Sequence, residues 1–258
     1  MTRHHHIFIA APASGGIGAQ MARSLSGAQK ALAQAGYGPA VLGAHREGQI
    51  HLDTTLIGDA AAGLFHFFAR AGERAECFAE ALGGPVGRLV LHLPCYDAYY
   101  PMLWRHLAER RALKPFEGAV EQLAGRGRGW LEVVAELKTA LDPREIVLLP
   151  APALAEEALA ALVPGARVIA RSIRQERQSD TAIAMMQRLH RSKIRIRPKQ
   201  MERLARFHEG LPQGAPIAEF DPLTASRLRR RFQQDLRRLV AMDRVRIGAD
   251  PALAVAAQ

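Results

Sequence analysis

Residues 7–18 read Ile-Phe-Ile-Ala-Ala-Pro-Ala-Ser-Gly-Gly-Ile-Gly. Ile7, Phe8, Ile9 and Ala10 are an apolar run with the length of a strand buried on both faces. Pro12 to Gly16 follow as a small, glycine-rich loop, and Met21, Leu25, Ala28 and Leu32 then recur at helical spacing up to about Ala35. The stretch predicts a strand, a loop and a helix, the P-loop-like start of an α/β fold. A helix that begins directly after a buried strand offers unpaired amides and a positive dipole end to a phosphate or sulfate, and glycines let the backbone approach it closely. An ordinary nucleotide triphosphatase loop would end in Gly-Lys-Ser/Thr; here Gly16-Ile17-Gly18 stand in that place, without lysine or metal-binding hydroxyl.

Outward from this stretch, Gly36 and Gly38 stop the helix and Ala40–Leu42 predicts a second strand. Residues 43–58 are polar and carry no clear periodicity, and a helical pattern covers about 59–81. After Gly83-Gly84-Pro85, Arg88–Leu93 has the composition of a central strand, and Ile146–Leu149 that of another buried one. Val168–Ile169 adds a short strand. Helices are predicted at 97–112, 116–124, 130–140 and 153–162, then at 179–191, 198–209 and 223–241, the last with Thr224 as its cap. Strands alternating with helices predict a three-layer α/β fold: a mainly parallel sheet of about 4–5 strands flanked by helices, with a helical C-terminal part. All 258 residues fit a single domain.

A hydrophobic content of 48% supports a real core. No run of eighteen apolar residues exists, and Met1–Ile9 has no signal-peptide pattern. Cys77 and Cys95 give neither a disulfide framework nor metal-ligand spacing, so the expected address is cytoplasmic. The net charge of +10 is uneven: from Gly165 onward there are 20 Lys/Arg against 9 Asp/Glu, and before it 15 against 16. Residues 165–258 therefore form a basic, mostly helical portion that meets whatever anion the charge serves. His4, His5 and His6 cannot readily aim three adjacent imidazoles at one ion and resemble an affinity-tag remnant, so no metal site is expected.

Two families use a loop of this kind without the triphosphatase lysine. Ala13-Ser14-Gly15-Gly16-Ile17-Gly18 looks like the dinucleotide loop of short-chain dehydrogenases, which implies an NAD(P) protein. Pro12 stands where the first loop glycine belongs, however, and no tyrosine is followed four residues later by a lysine, so the proton donor for hydride chemistry is missing. The run Ala10-Ala11-Pro12-Ala13-Ser14-Gly15-Gly16-Ile17 resembles, in register, the cofactor loop of bacterial sulfotransferase-like proteins. Pro12 and Gly15 match, Ser14 replaces a threonine, and Gln20 falls where such proteins often carry glutamine. Leu89–Trp104 is similar to that family's central strand and following helix. Gly129-Trp130 with Ile146–Leu149 resembles the next helix and strand, and Phe220-Asp221-Pro222-Leu223 through Leu239 its terminal helix.

This resemblance implies 3′-phosphoadenylyl sulfate (PAPS) as cofactor, cradled by Pro12, Ala13, Ser14, Gly15, Gly16, Ile17 and Gly18. It also marks the departures. Ala13 occupies the place of the lysine that neutralises the leaving phosphate, and Gly16-Ile17 that of paired threonines. Pro94 and Met102 align with the arginine and serine that hold the 3′-phosphate. Arg171, Ser172 and Arg174 sit where the family has a late cofactor-contacting segment, and are the surviving candidate anion ligands. His45 is the candidate general base, with His51 after it; His92, inside a strand, reads as a packed and satisfied residue. Between Arg188 and Arg206 there are eight Lys/Arg and one acid, Glu202, with Arg195 and Arg197 alternating with Ile194 and Ile196 in a short extended piece. The expectations are a sulfotransferase-like protein with impaired transfer chemistry, a divergent active sulfotransferase on an unknown hydroxyl acceptor, or a basic module for an acidic glycan. Nucleic acid has little support, because aromatics are scarce among these arginines.

Overall fold

The apolar run at residue 7 does form a central strand, and its side chains divide by a period of two. Ile7 and Ile9 enter one core with Leu89, Leu91, Ile146 and Leu148, while Phe8 and Ala10 enter a second with Val90, Val147 and Leu149. A computed structural model describes residues 4–14, 16–173, 178–192 and 197–248. In chain order the elements are β1 (His5–Ala10), α1 (Ile17–Ser26), α2 (Gln29–Gln34), β2 (Ala40–Leu42), β3 (Ile50–Asp53), α3 (Ala60–His66), α4 (Ala71–Leu82), β4 (Val86–Leu93) and α5 (Tyr96–Ala108). A 3-10 turn at Phe116–Ala119 leads into α6 (Val120–Ala124). Then come α7 (Trp130–Leu141), β5 (Glu145–Pro150), α8 (Ala155–Leu162), α9 (Asp180–Ser192), α10 (Pro198–Glu209), α11 (Pro222–Val240) and β6 (Val245–Ile247).

The six strands form one sheet in the order β2-β3-β1-β4-β5-β6, every neighbouring pair parallel. Two strands lie beyond the expected set. In β3 the buried His51 interrupts the apolar run that would mark a strand, and β6 is only three residues long. Val168–Ile169 does not join the sheet; Ala166, Val168 and Ala170 pack against the second core, and the Val168 amide donates to the Ala166 carbonyl at 3.0 Å. The larger core takes α3, α4, α5, α7 and α11 on the other face. Two expected long helices are broken. Gly27 separates α1 from α2, and Phe67-Phe68, both with positive φ (44° and 58°), separate α3 from α4. The Phe67 and Phe68 carbonyls accept hydrogen bonds from the Arg128 guanidinium at 3.0 and 2.9 Å, and Arg128 in turn grips Glu136 at 2.6 and 2.7 Å. The α11 cap is Asp221, not Thr224: its carboxylate accepts from the Leu223 and Thr224 amides, both at 3.0 Å.

His5 and His6, at the start of β1, are packed and hydrogen-bonded. His51 Nδ1 donates to the Gly43 carbonyl at 3.0 Å, which leaves its Nε2 to accept from His5 Nδ1 at 2.9 Å. His6 Nδ1 donates to the Leu162 carbonyl at 3.0 Å. Burial pushes the His51 imidazole down to about 4, so the pair is neutral at pH 7.

An aromatic cluster joins α5, α7 and α11. The Tyr96 hydroxyl donates to Asp235 at 2.5 Å and accepts from the Trp130 amide at 2.7 Å. Gly129 is required beside it, because a Cβ there would lie 2.2 Å from the Tyr96 hydroxyl oxygen. Gly129→Ala should therefore cost about 2–3 kcal/mol in urea unfolding. The cost should shrink by about half or more in a Tyr96→Phe background, where the clashing oxygen is gone. Strict additivity of the two substitutions would show that the methyl does not meet this hydroxyl.

Candidate anion-binding cleft

Strand order reverses at β1: β3 lies on one side of it and β4 on the other. In an open α/β sheet the crevice at the carboxyl ends of such strands is where ligands sit. Here it is a cleft of about 900 Å³, walled by the loops and helices that follow β1, β4 and β5 and by residues 170–172. That volume suits a nucleotide-sized molecule.

The β1 loop is a tight turn, in which the Ser14 amide donates to the Ala11 carbonyl at 3.1 Å. Ala13 has a φ of 61°, a strained left-handed conformation for a residue with a Cβ. Gly16, at φ 78°, caps α1, and its carbonyl accepts from the Gln20 amide at 2.9 Å in the first helical bond. The amides of Ile17, Gly18 and Ala19 therefore have no acceptor within the helix. No side chain caps this end and no acid lies in the first turn, so nothing in α1 itself competes for those donors. Gly18 has a different role: a Cβ there would lie 2.6 Å from Thr54 Cγ2, so it lets α1 approach the end of β3. The N-termini of α5 and α8 also open on the cleft through Ala98, Ala155 and Glu156, adding their positive dipole ends.

His92, 5% exposed, lies on the cleft's floor. Its place in β4 is opposite Ala10 and Leu149, both on the α1 and α8 side of the sheet. It is packed but not satisfied: buried Nδ1 has no hydrogen-bond partner among the described residues. Burial alone pushes this imidazole down to about 4, so it is uncharged at pH 7. Cys95, which precedes α5, is not a nucleophile. Burial, with Asp97 beside it, pushes its thiol up to about 12.

The cations of the cleft are committed elsewhere. Arg105 is paired with Asp180 and donates to the Gln178 carbonyl at 2.8 Å. Arg110 donates to the His106 carbonyl at 2.6 Å and lies 3.6 Å from Glu109. Arg171 donates its backbone amide to Ser24 at 2.9 Å, while its guanidinium packs on Gly27. That places the charge at the C-terminal end of α1, where the dipole favours a cation, and about 15 Å along the helix from the open amides. Burial raises the carboxyl of Glu109, against the pull of Arg110 and Arg105.

Of the expected site residues, Ala13, Ser14, Ile17, Arg171 and Ser172 do meet in this cleft, joined by Gln20, Pro94 and Met102. Pro12, Gly16 and Gly18 shape the loop behind them. Gly15 and Arg174 lie outside the described residues, as do Ile194, Arg195 and Ile196 of the expected extended piece, whose Arg197 directly precedes α10. His45 is not brought here. It is exposed on the 43–49 connection, close enough to the His51 ring to lower that group's pKa further, at the His5–His51 pair rather than at the loop. Part of the basic character of the C-terminal portion lies on α11, where Arg227, Arg230, Arg237 and Arg238 are exposed without an ion pair to a described acid. Sequence reasoning passed over His92 as a site residue, although a histidine inside the apolar run Leu89–Leu93 was a usable signal.

Among the described residues no helix is long and apolar enough to cross a membrane, and no group of three His, Cys, Asp or Glu is placed to hold a metal ion. Comparison with family models, with curated proteins and with solved structures finds no match.

Proposed function

We propose that this chain is a sulfotransferase-like protein that keeps an anion-binding cleft for a phosphate- or sulfate-bearing nucleotide while its transfer chemistry is impaired. The observation that carries the proposal is the juxtaposition in one cleft of the uncapped amides of α1 and the lysine-free loop at Ala13. Sulfuryl transfer from PAPS forms a bond from sulfur to an acceptor oxygen and breaks the bond from sulfur to the nucleotide phosphate. Negative charge then gathers on the leaving phosphate, and a positioned cation must stabilise it. The amides of Ile17, Gly18 and Ala19 can hold a phosphate, but Ala13 supplies no charge. Arg171, the residue best placed by sequence to substitute, directs its guanidinium to Gly27. Removing one preorganised donor costs roughly 3 kcal/mol of transition-state stabilisation, which supports binding without efficient turnover.

Calorimetry with adenosine 3′,5′-bisphosphate tests this. The protein should give measurable, weak binding at millimolar ligand. Ala13→Lys, which adds a charged donor at a position lining the cleft, should tighten it by about ten- to a hundredfold, or about 1.5–3 kcal/mol. An absence of heat from both proteins at millimolar ligand would overturn the proposal.

A further inference from the structure

The geometry points to His92 as the group that becomes charged when the cleft fills: an oxyanion seated on the α1 amides draws one proton from solvent onto this imidazole. The inference rests on the anion-binding reading of the cleft and adds a regulation of it, a ligand affinity set by pH.

His92 and the loop are close by construction. His92 is the ladder partner of Ala10, the last residue of β1 before the loop, so their backbones lie about 5 Å apart. Both face the α1 side of the sheet. A ligand on the first turn of α1 therefore comes down over the imidazole. The ring is held between apolar strand neighbours, and its Nδ1 is buried without a partner among the described residues. That atom is closed off from solvent, so the ring meets the cleft through its remaining edge, and an anion seated there acts on the ring by its charge rather than as a partner for Nδ1.

The surrounding groups leave the ring's protonation to the ligand. From α1 the cleft receives Gln20, which does not titrate; from α8, Glu156; from residues 170–172, Arg171. From α5 it receives Arg105, His106, Glu109 and Arg110. Arg105 is engaged by Asp180 and Arg110 by Glu109, and Arg171 turns to Gly27. Desolvation is the single cause of the His92 displacement, so none of these charges acts on it appreciably in the empty cleft. An anion a few ångströms away reverses that balance, because an opposite charge favours the protonated ring. A metal-ligand role lacks the donors, since no set of three His, Cys, Asp or Glu is assembled among the described residues.

Inorganic sulfate is the suitable probe, because its charge is fixed between pH 4.5 and 6 and any proton taken up belongs to the protein. Sulfate affinity should rise several-fold for each unit of falling pH in that window, with close to one proton absorbed per sulfate near pH 5 in calorimetry across buffers of different ionisation heat. His92→Gln should bind sulfate with a flat pH response, and His106→Gln should keep the response of the parent. Ring-nitrogen NMR of the unaltered protein provides a check that needs no substitution: saturating sulfate should move the His92 titration upward by about two pH units. Flat sulfate affinity in the parent protein, a His92 ring indifferent to sulfate, or a pH response that disappears with His106→Gln would each overturn the inference. So would failure of sulfate to bind at any pH. In all these cases the anion-binding proposal stands or falls separately, on the bisphosphate titration.

Discussion

Lowering the pH from 7 to 4 should remove roughly 6 kcal/mol of folding stability through two histidines, His51 and His92. Both rings are pushed down to about 4 by burial, against an ordinary value of 6.5. In the unfolded chain each ring takes its proton as pH falls through 6.5, whereas in the fold each resists until about 4. Across that window the unfolded state binds more protons, so stability declines as pH falls and the loss is complete near the folded value. At ~1.36 kcal/mol per pH unit the displacement is worth roughly 3 kcal/mol for each ring. The sum is a large share of an ordinary net stability of about 5–15 kcal/mol. Glu109 and Asp235, whose carboxyls burial raises, act in the opposite direction and moderate the slope. Urea unfolding at pH 7, 6 and 5 measures it. His51→Gln and His92→Gln should each flatten the dependence by about 1 kcal/mol per pH unit, and a slope unchanged in the double variant would refute the assignment.

The fold was legible wherever one local signal dominated. Ile7–Ala10 and Ile146–Leu149 are uninterrupted apolar runs, Leu89–Leu93 is broken by His92 alone, and all three are central strands. α10, predicted at 198–209, is Pro198–Glu209, because a proline at its first position and Gly210 after its end bound it from both sides. The failures are places where tertiary contacts override local pattern. Nothing in Phe67-Phe68 announces a helix break, since neither glycine nor proline is present. Their left-handed backbone is held by Arg128, sixty residues away in sequence. β3 was hidden because His51 stands among its four residues, and that histidine is buried with both ring nitrogens bonded, to His5 and to the Gly43 carbonyl.

The site was legible in its backbone and less so in its side chains. The strand-loop-helix geometry at Ala10–Ile17 follows from composition, and so does the absence of a cation from the loop. Where a long side chain directs its charge does not follow. Arg171 reaches the cleft wall as expected, yet its guanidinium lies against Gly27 because a helix C-terminus attracts it. His45 and His92 illustrate the same limit from opposite sides. A histidine in a polar connection looks accessible and reactive, and one in an apolar strand looks inert. Topology places the first beside the His5–His51 pair and carries the second to the floor of the cleft.

Trp130→Ala should be the most damaging single core substitution tested in this cluster, at about 4–5 kcal/mol. The side chain is 1% exposed and packs on the rings of Phe67, Phe68 and Tyr99, with centroids 5.0, 5.9 and 5.5 Å away. Its indole N–H donates to the Pro94 carbonyl at 3.0 Å, and Pro94 lines the cleft. Truncation thus opens a cavity among rigid rings and also leaves a buried carbonyl without its donor. Trp130→Phe separates the two effects: it keeps most of the packing and loses the hydrogen bond, for about 1–2 kcal/mol. Trp104, the other tryptophan, remains as the fluorescence probe of unfolding in both variants. A loss below about 2 kcal/mol for Trp130→Ala would mean that the neighbouring rings collapse into the space, so that the cluster does not hold α5 and α7 in fixed register. If the register is fixed, Trp130→Phe should also weaken bisphosphate binding by a few fold while leaving the fold intact, because the Pro94 carbonyl that shapes the cleft wall is released.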